Sequence, residues 1–161
     1  AIHVYSEPGR GSTFKLYLPA SITGRVEESA RPAINSLELG HETILLVEDE
    51  QTLSDLVRMT LEEAGYTVLA AHDGNQALVL AQEFPSRIDL LLTDVVMPQM
   101  SGREVVQRIS QQRPEVKVLF MSGYMDDAVV RHGLLTAEVD FLPKPFTRHV
   151  LAAKVREVLD K

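Results

Sequence analysis

The chain has 161 residues, 45% of them hydrophobic and 24% charged, a balance typical of one water-soluble domain with some additional segments. It has no cysteine, which excludes a disulfide framework and a thiolate zinc site and favours a reducing cytoplasm. The formal net charge of -7 argues against a nucleic-acid surface, because duplex binding depends on Lys and Arg side chains. No apolar run reaches the length of a membrane span, so we expect protein partners and no membrane contact.

The first segment of the chain predicts a β-hairpin. Apolar and polar side chains alternate over residues 2–5 and again over residues 14–18, on either side of a turn that contains Gly9 and Gly11. Two strands alone are at best marginally stable in water, so we interpret residues 1–20 as the end of a larger domain. Residues 21–41 lack sustained periodicity and predict a flexible linker.

From residue 42 onward, short apolar runs of strand length alternate with helix-length stretches. The runs cover residues 44–47, 67–71, 89–92, 116–121 and 140–142. Such runs are typical of strands that are buried on both faces of a parallel sheet. Helical periodicity is clearest before Gly65, a predicted helix end, and after Thr147, a predicted N-cap. Five strand–helix units therefore predict an α/β sandwich for residues 42–161.

Polar side chains follow four of the predicted strands. Glu48 and Asp49 come after the first strand, Asp94 after the third, Ser122 after the fourth and Lys144 after the fifth. The carboxyl ends of parallel strands share one edge, where the functional crevice of an open α/β sheet lies. Two carboxylates about 4 Å apart repel by on the order of 4 kcal/mol at an effective dielectric near 20. We therefore expect Lys144 and a hard, oxygen-seeking ion, Mg²⁺ (or Mn²⁺), among them.

This arrangement predicts a metal-assisted phosphoryl site. Asp94 would be the nucleophile, Asp49 and Glu48 ligands of the ion directly or through water, Ser122 a hydroxyl donor and Lys144 a charge clamp. Alternatively, the acids after the first strand could have no role except to stabilise a helix N-terminus, with a contribution of about 0.3 to 1 kcal/mol each. The polar residues at three further strand ends favour the site.

Four sequence blocks resemble, in order, the receiver family of bacterial response regulators: LLVEDE (45–50), LTDVVMP (92–98) followed by Gly102, MSGY (121–124) and FLPKPF (141–146). The resemblance implies a flavodoxin-like (CheY-like) three-layer sandwich with a five-stranded parallel sheet in the order 2-1-3-4-5. It covers residues 42–161, which we assign as the receiver domain.

The same resemblance implies roles for individual residues. The backbone carbonyl of Val96 would be a metal ligand, Gly123 would leave room for the phosphoryl donor, and Phe141 would be the switch aromatic that acts with Ser122. The Lys144-Pro145 bond is often cis in relatives. Glu48 departs from the family, since many relatives have Asp at that position.

The predicted hairpin is similar to the last strands of the histidine-kinase ATP-binding domain, which implies a hybrid histidine kinase as the parent protein. The fragment itself would be a phosphoacceptor that assists its own phosphorylation and dephosphorylation. Its expected partners are a phosphohistidine donor, in a kinase dimerisation domain or a phosphotransfer domain, and a protein that binds the face of helix four, strand five and helix five. Homodimerisation is left open, and the expected location is cytoplasmic.

Three alternatives remain. The chain could belong to a stand-alone response regulator. A hydrolase or phosphotransferase with an aspartyl-phosphate intermediate is disfavoured, because such enzymes usually carry the nucleophilic Asp after strand one, where this chain has Glu48. A flavodoxin-like nucleotide or flavin binder is disfavoured as well, since acids after strand one would repel the ligand's phosphate.

Overall fold

The computed structural model describes residues 2–9, 11–17, 40–123 and 140–161. The chain divides into two compact units, Ala1–Asn35 and Ser36–Lys161. Most of the predicted linker, residues 21–39, lies outside the described residues. Within the described part, no helix is long and apolar enough to cross a membrane.

The first unit contains the predicted hairpin. Strands β1 (Ile2–Glu7) and β2 (Gly11–Leu16) pair antiparallel, with Val4 opposite Phe14. Gly9, in the turn, has a φ of 78°, in the left-handed region that favours glycine. The alternating pattern of the sequence thus predicted this element correctly.

The second unit is a five-stranded sheet with helices on both faces. Its strands are β3 (Thr43–Val47), β4 (Thr67–Ala71), β5 (Leu90–Asp94), β6 (Lys117–Ser122) and β7 (Asp140–Pro143). Its described helices are α1 (Gln51–Glu63), α2 (Gly74–Glu83), α3 (Gly102–Gln112) and α4 (Arg148–Leu159). All neighbouring strands are parallel in the order β4-β3-β5-β6-β7, which confirms the predicted 2-1-3-4-5 order. The predicted helix between the fourth and fifth strands, part of the predicted partner face, lies outside the described residues.

The central strand β3 shows why these residues form a buried sheet. Ile44 and Leu46 belong to one apolar cluster with side chains of α1 and α4, whereas Leu45 and Val47 belong to a second cluster with side chains of α2 and α3. All four side chains are fully buried. A strand covered on both faces needs apolar residues at successive positions, and this chain supplies them.

Local signals set the helix ends. Gly65 follows α1 with a φ of 96°, and the Thr147 hydroxyl accepts a hydrogen bond from the Val150 N–H at 3.3 Å at the start of α4. Both ends agree with the sequence prediction. Helix α3 begins with a capping box, in which Ser101 and Glu104 satisfy each other's backbone N–H groups.

A close approach of backbone at Gly102 shapes the edge of the crevice. A Cβ atom at this position would lie 1.9 Å from the backbone carbonyl oxygen of Asp94, and the Gly102 N–H donates to the Val95 carbonyl at 3.1 Å. Only glycine allows the start of α3 to pack this tightly against the end of β5. This packing fixes the backbone of Asp94 at the edge of the sheet.

Candidate metal and phosphoryl site

The structure brings together the three predicted acids. Glu48 and Asp49 follow β3, and Asp94 is the last residue of the neighbouring strand β5. One carboxylate oxygen from each residue lies within 4.8 Å of the others. Glu48 is buried, Asp94 is partly buried and Asp49 is exposed, so the group opens to solvent on one side.

Lys144 lies directly against two of these acids. Its Nζ atom donates to Glu48 Oε2 and to Asp94 Oδ2, each at 2.7 Å. Its backbone N–H donates to the Ser122 carbonyl at 2.8 Å, which ties the residue after β7 to the end of β6. The Lys144-Pro145 peptide bond is cis, as the resemblance implied.

The cluster contains more acidic than basic side chains. Burial raises the pKa of Glu48, and this effect outweighs the opposing hydrogen bond from Lys144. Burial by itself would lower the pKa of Lys144, but the hydrogen bonds to Asp94 and Glu48 raise it, so Lys144 keeps its charge. When all three acids are ionised, one ammonium leaves two negative charges without a partner charge.

The donor set suits a hard divalent ion. Carboxylate oxygens are the protein ligands that Mg²⁺ takes, together with water and phosphate oxygens. The predicted backbone ligand Val96 is adjacent, because its N–H donates to Asp94 Oδ1 at 3.3 Å and the residue is exposed. The site offers oxygen ligands, is partly open to solvent and has two negative charges without a partner charge. These properties suit a divalent cation.

The remaining predicted residues lie on the two following strands. Ser122 is the last residue of β6, one position beyond Met121, which pairs with Asp94, and it is 5% exposed. In the part of the chain described, no atom lies within 4 Å of a Cβ built at Gly123, so space is open there. Phe141 is outside the acidic group: it lies in β7 opposite Phe120, with ring centroids 5.6 Å apart.

Two features of the site were not predicted from sequence. Thr93 is fully buried beneath the site, and its hydroxyl donates to the Asp94 carbonyl at 3.0 Å. A polar residue at the end of an apolar run was the signal that could have identified it. The direct contact between Glu48 and Lys144 joins residues 96 positions apart, and nothing in the sequence selects that acid over its neighbours.

Comparisons with known proteins agree with this geometry. The family model described as "Response regulator receiver domain" matches residues 44–156. The "Sensor kinase CckA" of Brucella abortus is 38% identical over 99% of this chain and 18% of its own length. The transcriptional regulatory protein CpxR of Escherichia coli is 38% identical over 72% of this chain and 48% of its own length.

Solved structures show the same likeness. The crystal structure of the receiver domain from the hybrid histidine kinase CckA aligns with 73% of this chain and 98% of its own, at 36% identity and a TM-score of 0.62. The chemotaxis protein CheY4 of Vibrio cholerae aligns with 74% of this chain and 99% of its own, at 30% identity and a TM-score of 0.66. The chain therefore belongs to the response regulator receiver domain family, the receiving modules of two-component phosphorelay signalling.

Proposed function

We propose that Asp94 is the residue that accepts the phosphoryl group in this phosphorelay module. Receiver domains take phosphate from histidine kinases or phosphotransfer proteins and generally bind Mg²⁺ at an acidic pocket. The observation that carries the proposal is the contact of Lys144 Nζ with Asp94 Oδ2 at 2.7 Å, inside a group of carboxylates that spans 4.8 Å. The proposed ligands of Mg²⁺ (or Mn²⁺) are Asp94, Asp49 and the Val96 carbonyl, together with Glu48, directly or through water.

The reaction follows from the charges at the site. A carboxylate oxygen of Asp94 attacks the phosphorus atom of a phosphohistidine, the P–N bond breaks, and its electron pair stays on the imidazole nitrogen, which takes a proton from solvent. The bound ion would neutralise charge on the phosphoryl oxygens. Lys144, held beside Asp94, adds a second positive charge, and the Ser122 hydroxyl offers a hydrogen-bond donor. The product is an acyl phosphate on Asp94.

Phosphorylation would then act as a switch. The acyl phosphate on Asp94 carries about -1.5 to -2 charge at neutral pH, where the free carboxylate carried -1, beside a lysine that has two acidic partners. Redistribution of these contacts would draw Ser122 toward the phosphoryl group and reposition Phe141, which packs against Phe120 at the next strand. The proposed readout is a protein that binds the face formed by β7, α4 and the helix that the sequence predicts between the fourth and fifth strands.

The parent protein is proposed to be a cytoplasmic hybrid histidine kinase. Alignment of the sensor kinase relative extends over the hairpin as well as the receiver domain, and this chain spans about 18% of that kinase. On this basis residues 1–20 are the end of an ATP-binding domain, residues 21–41 a linker and residues 42–161 the receiver domain. The phosphoryl donor would be a phosphohistidine of a kinase dimerisation domain or of a phosphotransfer domain.

The test uses a small phosphodonor. Incubation with acetyl phosphate and Mg²⁺ is expected to add one phosphoryl group, seen as a shift in intact mass, and Asp94→Asn is expected to abolish it. The control is Asp73→Asn, a change of the same type at the N-cap of α2. This variant should still take up one phosphoryl group. A mass shift that persists in Asp94→Asn would contradict the assignment.

A further inference from the structure

The chain that leads into the receiver sheet is docked on the receiver unit. Gly40 is buried, and its backbone N–H donates at 2.9 Å to the carbonyl of Ala64, the C-cap of α1. The Glu42 carbonyl accepts from the N–H of Thr67, the first residue of β4, at 3.0 Å. Two backbone hydrogen bonds thus hold residues 40–42, which we call the entry segment, directly before β3 begins.

A close contact explains why glycine occupies the first position of the entry segment. A Cβ atom at Gly40 would lie 2.1 Å from Cε1 of Tyr66, far inside van der Waals contact. Tyr66 is 6% exposed and belongs to the same buried cluster as Leu151 and Val155 of α4, so its ring has little room to move away. The entry segment therefore fits a shaped surface that excludes a larger residue at position 40.

A side-chain ion pair joins the entry segment to α4. Arg156 Nη2 donates to Glu42 Oε1 at 2.8 Å, and the two side chains are 25% and 15% exposed. Glu42 Oε2 accepts from the His41 N–H at 2.9 Å, so both carboxylate oxygens are engaged. Because the pair is largely shielded from water and its acid is held at both oxygens, solvent and salt screen it less than they screen an exposed pair.

The entry segment lies at the edge of the sheet away from the acidic group. It precedes β3, whereas Glu48 and Asp49 follow this five-residue strand, which spans about 16 Å. It also precedes residues 44–156, the region that matches the receiver family. The docking contacts therefore belong neither to the phosphoryl site nor to the sequence that defines the family.

We propose that the entry segment is a latch that anchors the linker to α4, so that this helix and the chain leading to the preceding domain are mechanically joined. A protein that binds α4 and displaces Arg156 would release the end of the linker, and by linkage a change in the linker would act on α4. Use of the latch as a signal route rests on the proposed function, which assigns α4 to the readout face. The latch itself does not require phosphorylation of Asp94.

The mobility of a spin label gives the first test. The chain has no cysteine, so His41→Cys, at an exposed position of the entry segment, accepts a single nitroxide label. Electron paramagnetic resonance should show slow motion of this label, and its correlation time should fall about threefold or more in Glu42→Gln and in Gly40→Ala. The matched control is Glu63→Gln, which breaks an exposed pair with Arg148 and should leave the spectrum unchanged. Fast motion of the label before any further substitution would overturn the proposal.

Amide hydrogen exchange gives a second test that needs no label. The Gly40 N–H should exchange about 100-fold more slowly than in an unstructured chain, because it is bonded to the Ala64 carbonyl, and Glu42→Gln should reduce this protection about tenfold. Slow exchange should persist at Leu45, in the centre of β3, which shows that the domain remains folded. Exchange of the Gly40 amide at the rate of an unstructured chain would contradict the latch.

A double-mutant cycle tests whether the anchor lies on α4. Arg156→Gln should loosen the label as much as Glu42→Gln does, and the double variant should loosen it no further, because both changes remove the same contact. Asp160→Asn removes the other acidic partner of Arg156 and is the control, which should leave the label slow. Additive loosening by the two substitutions would refute the ion pair as the link to α4. No step uses a phosphodonor, so a failure of Asp94 to take up a phosphoryl group would leave these results unaffected.

Discussion

The hairpin and the receiver sheet contain similar apolar residues, but these side chains are exposed in the hairpin and buried in the receiver sheet. Phe14 and Leu16 in β2 are 64% and 62% exposed, whereas Leu45 and Leu46 in β3 are fully buried. A two-stranded sheet has no second layer of its own, while β3 has helices on both faces. Apolar residues specify a strand in both regions, alternating with polar ones in β2 and at successive positions in β3, but their burial depends on the layers that surround the strand.

The largest expected effect tests this comparison directly. Leu46→Ala removes a fully buried side chain from β3 and should lower the free energy of unfolding by about 3 kcal/mol, through lost burial and a cavity. Leu16→Ala, the same change in β2, should alter it by less than about 0.5 kcal/mol. Urea unfolding followed by circular dichroism measures both. Equal losses would mean that the hairpin is part of the same cooperative core.

An ion pair at the start of the receiver unit gives an intermediate effect. Arg156 in α4 donates to Glu42 at 2.8 Å. Burial would raise the pKa of Glu42, but hydrogen bonds from Arg156 and from backbone N–H groups outweigh it and lower the pKa from 4.5 to about 2. Since the folded-state pKa is depressed, this stability is present above pH 4.5 and is lost as the pH falls toward 2.

Glu42→Gln should therefore lower the free energy of unfolding by about 1 to 2 kcal/mol at pH 7, a value discounted for partial exposure. The difference from wild type should shrink as the pH falls from 4.5 toward 2 in chemical denaturation experiments. Glu63→Gln, which breaks an exposed pair with Arg148, is the control and should cost less than about 0.5 kcal/mol. A difference that is independent of pH would argue against the ion pair.

The smallest expected effect concerns a buried hydroxyl in α1. Ser54 is 1% exposed, and its Oγ atom has no hydrogen-bond partner in the described structure. Ser54→Ala should therefore be neutral or stabilise the receiver unit by up to about 1 kcal/mol in urea unfolding. Thr60→Val is the comparison, because the Thr60 hydroxyl donates to the Leu56 carbonyl at 2.8 Å, and it should not be stabilising. A clear loss in Ser54→Ala would reveal a partner for this hydroxyl.

Much of the fold could be predicted from local signals. The apolar runs identified all five strands, although β5 and β6 extend to Asp94 and Ser122, which the sequence placed just after them. The extension has a physical cause: the parallel ladder continues past the apolar residues, with Asp94 opposite Met121 and Ser122 opposite Pro143. Gly65 and Thr147 marked helix ends correctly because a left-handed φ and a capping hydroxyl are local properties.

The residue types at the strand ends can be read from the chain alone, and they predict that carboxylates, a hydroxyl and a lysine meet at one edge of the sheet. Which of these groups touch depends on tertiary packing. Lys144 reaches Glu48 and Asp94 because the strand order sets the distances between the strand ends. Contacts of 2.7 Å between groups 50 and 96 residues apart arise from packing, and no local pattern encodes them.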